Sequence, residues 1–110
     1  MKGALDGMNP VRPYSVIKSS VSNVTQWFYT YVLICEKTGT FYTGATDNLK
    51  ERLDQHKKGK VLYTRNKGPV KLVYYEACLN RDDAFRRERY LKTGMGKRFI
   101  KNRLKGGLTG

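Results

Sequence analysis

Five residues of this 110-residue chain combine a reactive type with an informative spacing: Tyr31, Tyr42, Arg52, His56 and Glu88. Arg52 and His56 stand one helical turn apart, so their side chains leave the same side of a helix. The Arg52 guanidinium is a planar fork of donors that matches phosphate oxygens two at a time. Tyr31 and Tyr42 lie on two short runs rich in aromatic and β-branched types, where core packing is the plainer role for both. Glu88 falls within the apolar stripe that Ala84, Phe85 and Leu91 set up at helical spacing. A carboxylate placed there is costly unless it finds a cation, a hydrogen-bond network or a metal. Lys92 lies one turn further on, and an internal ion pair with it is as good a reading as a metal.

These side chains need elements to carry them. Residues 28–35 (FYTYVLIC) read as a mostly buried strand and residues 40–43 as a short second one. Between them Glu36-Lys37-Thr38-Gly39 has turn chemistry, with Gly39 free to take a positive φ. The pair therefore reads as an antiparallel hairpin that Gly44 ends. Thr46 or Asp47 caps a helix running to about Lys58, which Gly59 stops. Ala45, Leu49 and Leu53 share one face of it; His56 projects between Ala45 and Leu49, and Arg52 lies just beside them. Two polar groups at the edge of an inward face need a reason to be there.

Residues 60–68 (KVLYTRNKG) make a basic loop, and Pro69 leads into a third strand over 70–76. Asn80 and Asp83 resemble a capping pair for a helix over about 81–93. Gly94 and Gly96 then interrupt, and residues 97–105 form a short basic helix anchored by Phe99, Ile100 and Leu104. The length suits one domain with a single modest core. We expect a flexible extension over residues 1–26, a folded domain over 27–105 and a disordered tail over 106–110, with Met8 as an alternative start.

Twenty-two Lys and Arg against nine Asp and Glu give a formal charge of +13, so the expected partner is a polyanion, nucleic acid before an anionic membrane. Charge used only for solubility is the bland alternative. Cys35 and Cys78 are too few for a disulfide scaffold, and Cys35 reads as a small buried apolar residue. The sequence shows neither an 18-residue apolar stretch nor an apolar signal-type core near its start, so the cytoplasm is the expected compartment.

In order, a hairpin with two tyrosines, a helix with arginine, a strand and a helix with glutamate resemble the GIY-YIG nuclease domain over roughly residues 27–104. The first motif stands here as Thr30-Tyr31-Val32 and the second as Tyr42-Thr43-Gly44. Arg52 with His56 matches the family's arginine followed four residues later by tyrosine or histidine, and Glu88 its later acidic residue. The segment from Tyr63 to Tyr74 is similar to short stand-alone bacterial members. Thr30 replaces the first glycine and Thr43 the isoleucine of the motifs. Ala45 and Thr46 stand where many relatives place a lysine, and Asn102 is out of register with a later family asparagine.

The resemblance implies an α/β (α+β) fold, a small three-stranded antiparallel or mixed sheet flanked by helices. It also implies a metal-dependent endonuclease acting on DNA, with RNA as the alternative and no small-molecule cofactor. Glu88 would hold one Mg²⁺ or Mn²⁺ ion; with only nine acidic residues, most at turns, caps or exposed faces, one metal fits better than two. Tyr31 would be the general base, its pKa lowered by the cation or Arg52. Tyr42 would orient water or phosphate, Arg52 would contact phosphate oxygens, and His56 would share the base role or bond Tyr31. Tyr63 and Lys92 are weaker candidates at the site. Arg65, Lys67, Lys71, Arg86, Arg87, Arg89, Lys97, Arg98, Lys101 and Arg103 form a phosphate-contacting surface without base-sequence information. The competing readings are a catalytically weak or inactive nucleic-acid-binding module on the same fold, and an adaptor in DNA repair or RNA metabolism.

Overall fold

The structure, a computed structural model, describes residues 25–108. The extension expected over residues 1–26 thus lies, but for its last two residues, outside the described residues. Strands β1 (Phe28–Cys35) and β2 (Phe41–Thr46) form the hairpin, followed by helix α1 (Leu49–Lys57) and strand β3 (Val70–Cys78). Helices α2 (Arg81–Leu91), α3 (Gly94–Arg103) and the short α4 (Lys105–Leu108) complete the order, α4 standing where the tail was expected. None of the described helices is long and apolar enough to cross a membrane.

The sheet is wholly antiparallel in the order β2-β1-β3. Its central strand is the apolar run read from the sequence, and Tyr31, Val32, Leu33 and Cys35 are all buried. An irregularity between Val32 and Leu33 shifts the register against β3. On one face Val32 meets Leu91 of α2 and Ile100 of α3, with Phe41, Val73, Tyr74, Phe99 and Leu104 packed around them. Leu91 is 1% exposed, so its truncation to alanine would cost about 2–5 kcal/mol. Helix α2 crosses all three strands, and the Thr30 hydroxyl ties it down by donating to the Ala84 carbonyl at 2.9 Å.

Three of the boundaries that differ from the sequence expectation do so for a local reason. Strand β2 does not end at Gly44 but runs on to Thr46, because Gly44 pairs directly with Tyr31. The cap of α1 is Asn48, whose side chain accepts from the Glu51 amide at 3.1 Å; the Thr46 hydroxyl instead accepts from the Asn48 amide and shapes the entry. Helix α3 begins at Gly94 rather than after the glycines, capped by the Thr93 hydroxyl, which accepts from the Gly96 amide at 3.1 Å. A β-carbon on Gly96 would collide with the Tyr90 carbonyl and Leu91 Cα, so its bare backbone lets α3 fold back on the end of α2. The expected cap of α2 is present: Asn80 accepts from the Asp83 amide at 2.9 Å.

Candidate active site

Tyr31 is the hub. Its cross-strand partner on β2 is Gly44, and a β-carbon there would stand 2.5 Å from the Tyr31 hydroxyl and 2.6 Å from Cζ. The phenol therefore lies flat across β2, through space that only glycine leaves, and is completely buried. That path carries the hydroxyl to α1, where His56 Nε2 is 3.0 Å away and Arg52 Nε donates at 3.4 Å.

The α1 residues are held in turn. Arg52 Nη1 donates to Gln55 Oε1 at 2.9 Å. His56 is 5% exposed, sets its ring edge-on to Tyr31 and Tyr42 at 5.8 and 5.1 Å between centroids, and places Nδ1 2.8 Å from the Thr64 hydroxyl. This accounts for the polar edge of the inward face: Arg52 and His56 leave α1 to clamp one phenol.

Tyr42 packs 6.3 Å from Tyr31 and interacts with Arg52. On its outer side lies the Tyr63 ring at 5.2 Å, more than half exposed, with the Lys67 ammonium 4.9 Å from the Tyr63 centroid. A groove of about 490 Å³ opens here, lined by Tyr42, Tyr63, Lys92 and Lys97 over an apolar floor. Arg52 also lines a smaller polar groove of about 300 Å³, together with Gln55, Arg81 and the acidic Asp47 and Glu51.

Burial sets the proton affinities. The Tyr31 phenol is pushed up to about 12, chiefly by desolvation; Arg52 pulls against this, while the negative charges of Tyr42 and Glu88 add to it. The expectation that Arg52 would lower this group is thus outweighed by burial in the free protein. His56 is pushed down to about 4, first by burial and then by the charge of Arg52, so the imidazole is neutral at pH 7. Glu88 makes the smallest of these contributions at Tyr31, and its carboxylate faces Lys92 Nζ at 3.0 Å. The side chain is 17% exposed and Lys92 54%, so the pair opens to solvent rather than being sealed in the core.

The structure thus gathers Tyr31, Tyr42, Arg52 and His56 directly, lines the adjoining groove with Tyr63, Lys92 and Lys97, sets Lys67 over the Tyr63 ring and pairs Glu88 with Lys92. Arg65, Arg98 and Lys101 are exposed but line neither groove, and Arg86 pairs with Asp83 at 2.8 Å. Arg87 is not available for the phosphate surface. It holds both Glu76 oxygens, at 3.0 Å each from Nε, and its guanidinium lies over Tyr90 and Phe99. Sequence reasoning missed Gln55, Thr64 and Arg81. The spacing of Gln55 three residues after Arg52 was a usable signal; Thr64, in an irregular loop, offered none.

The catalytic-domain description of the GIY-YIG family matches residues 27–103. A UPF0213 protein of Clostridium perfringens is 48% identical over 65 residues, covering 58% of this chain and 69% of that one. A UPF0213 protein of Pediococcus acidilactici is 43% identical over 77 residues, covering 67% and 78%. The solution NMR structure of a UPF0213 protein from Bacillus halodurans is 36% identical, with a TM-score of 0.45 over 74% of this chain and 87% of that one. The chain belongs to the GIY-YIG family of nuclease domains, among its UPF0213 members.

Proposed function

We propose that the chain is an endonuclease that hydrolyses phosphodiester bonds in DNA with a single divalent cation, Mg²⁺ or Mn²⁺. The observation that carries this reading is the Tyr31 hydroxyl clamped between Arg52 Nε and His56 Nε2, with Arg52 lining one groove and Tyr42, Lys92 and Lys97 lining another. Among the described residues no three His, Cys, Asp or Glu side chains gather; in this reading the one protein donor is the Glu88 carboxylate. That donor set fits a hard, water-rich ion held by one carboxylate and by substrate oxygens. Bound there, the cation would draw charge from the phosphate and stabilise the leaving oxygen.

The chain's own residues do the rest. Arg52, already fixed by Gln55, presents its remaining donors to a phosphate. The buried Tyr31 phenol is almost wholly protonated near pH 7, so it acts as a relay: its oxygen takes a proton from the attacking water as its own proton passes to His56 Nε2. A phosphate on Arg52 offsets the positive charge that helps depress His56, so substrate makes the imidazole a better acceptor. Tyr42 orients the water or phosphate from the groove side. Lys92, Lys97 and Lys67 supply the salt-sensitive affinity for the strand.

One observation favours a non-catalytic nucleic-acid-binding module instead: Glu88 is already paired with Lys92 at 3.0 Å. Plasmid nicking separates the two. The enzyme nicks with Mg²⁺ or Mn²⁺ and stops with EDTA, and Glu88→Ala abolishes nicking while DNA binding persists. Binding that is equal with EDTA, without nicking under either ion, would leave only the module. Competition with structured and single-stranded RNA tests the choice of DNA.

A further inference from the structure

Thr64 sits in the irregular segment between α1 and β3, among Lys58, Lys60, Arg65 and Lys67, yet it is only 2% exposed. The segment is folded around it: the Thr64 amide donates to the Val61 carbonyl at 3.2 Å, and the Lys67 amide to the Thr64 carbonyl at 3.1 Å. Val61, 6% exposed, anchors the same turn in the core. A hydroxyl buried this deeply needs a polar partner, which valine in the same space would not. Its partner is His56 Nδ1, at 2.8 Å.

The direction of the bonds follows from the donors available. Arg52 Nε–H has only a proton to give, and it gives it to the Tyr31 oxygen. The phenol is fully buried, so its own O–H needs an acceptor, and His56 Nε2 stands 3.0 Å away. Nε2 of the neutral ring must then be bare, which puts the ring proton on Nδ1, where the Thr64 oxygen receives it. The chain runs one way, from Arg52 to Tyr31 to His56 to Thr64.

We infer that Thr64 is a positioning residue: by accepting the Nδ1 proton it holds His56, together with the Arg52–Tyr31 pair, in the tautomer that keeps Nε2 free to take the Tyr31 proton. Without that acceptor the ring is free to place its proton on Nε2, and the imidazole then confronts the phenol with a donor. In its effect on catalysis this rests on the nuclease reading; the tautomer itself does not.

His56 is the only histidine, so its two ring nitrogens are resolved in a ¹⁵N-labelled sample of the full chain. At neutral pH the wild-type spectrum shows a protonated Nδ1 and a bare Nε2. In Thr64→Val the Nε2-protonated form appears and kcat for nicking falls about tenfold with KM for DNA unchanged, the weight of one lost buried hydrogen bond. Thr64→Ser, which keeps the hydroxyl, restores both tautomer and rate. A wild-type Nε2-protonated ring overturns the inference, as does a folded Thr64→Val with the wild-type tautomer. Should Thr64→Val not fold, the wild-type spectrum and Thr64→Ser still decide. A chain with the expected tautomer that cleaves nothing under either ion refutes the nuclease and leaves Thr64 in its role.

Discussion

Gly44→Ala tests the geometry at its tightest point. A β-carbon at this position meets the Tyr31 hydroxyl at 2.5 Å, Cζ at 2.6 Å and Cε1 at 3.0 Å. Ordinary contact begins near 3.5 Å, so the phenol must retreat by about 1 Å. It cannot do so freely: Tyr31 is wholly buried and its ring is flanked by Tyr42 and His56. A retreat of that size takes the hydroxyl out of hydrogen-bond range of His56, now 3.0 Å, and of Arg52, now 3.4 Å. Overpacking of this kind costs about 1–3 kcal/mol, roughly 4–20 °C in the melting temperature of a domain this small. Misplacing a reacting group by about 1 Å lowers the rate on the order of a hundredfold. Thermal melting and plasmid nicking measure the two effects on one preparation, with a mobility shift to show DNA affinity unchanged. The exposed Gly106→Ala, whose β-carbon meets nothing within 4 Å, is the control. If Gly44→Ala nicks at the wild-type rate and melts with it, Tyr31 does not act from this position.

Three further outcomes follow from the same geometry. Lys92→Met removes the ammonium that competes for Glu88, so Mn²⁺ affinity measured by electron paramagnetic resonance rises roughly two- to fivefold; unchanged affinity places the ion elsewhere. His56 is held down to about 4 against an ordinary 6.5, so the neutral ring's contribution is complete above pH 6.5. That contribution is lost as pH falls through 4, by about 3 kcal/mol in denaturant unfolding, and His56→Gln should flatten this part of the curve. Lys97→Ala should weaken binding alike for all DNA sequences and lower the slope of log affinity against log salt by about 1, whereas a sequence-dependent loss would make Lys97 a base reader.

What the sequence disclosed and what it withheld divide along a physical line. The periodic elements were legible because burial writes itself into spacing: β1 as an apolar run, α2 behind its Asn80 cap, α3 through Phe99, Ile100 and Leu104. The reactive types were legible for the same reason, since Arg52, His56 and Glu88 occupy positions where helical spacing calls for apolar side chains. Contacts that depend on the third dimension left no such trace. Gly44 reads locally as a strand end, and only the register against Tyr31 shows it to be the gap through which the phenol reaches α1. Arg87 and Lys97 are equally basic in the sequence; one is bound to Glu76 over two aromatic rings and the other faces a groove.

Proton affinity was the least legible property, because it is a difference between opposing causes. Arg52 does pull on Tyr31 as its charge suggests, yet desolvation is larger and leaves the phenol near 12. A phenol that holds its proton so tightly is a poor base alone and a good relay when a neutral imidazole waits behind it. In the proposed reaction, the same burial that spoils Tyr31 as a solitary base gives His56, and the loop residue behind it, a part in moving the proton.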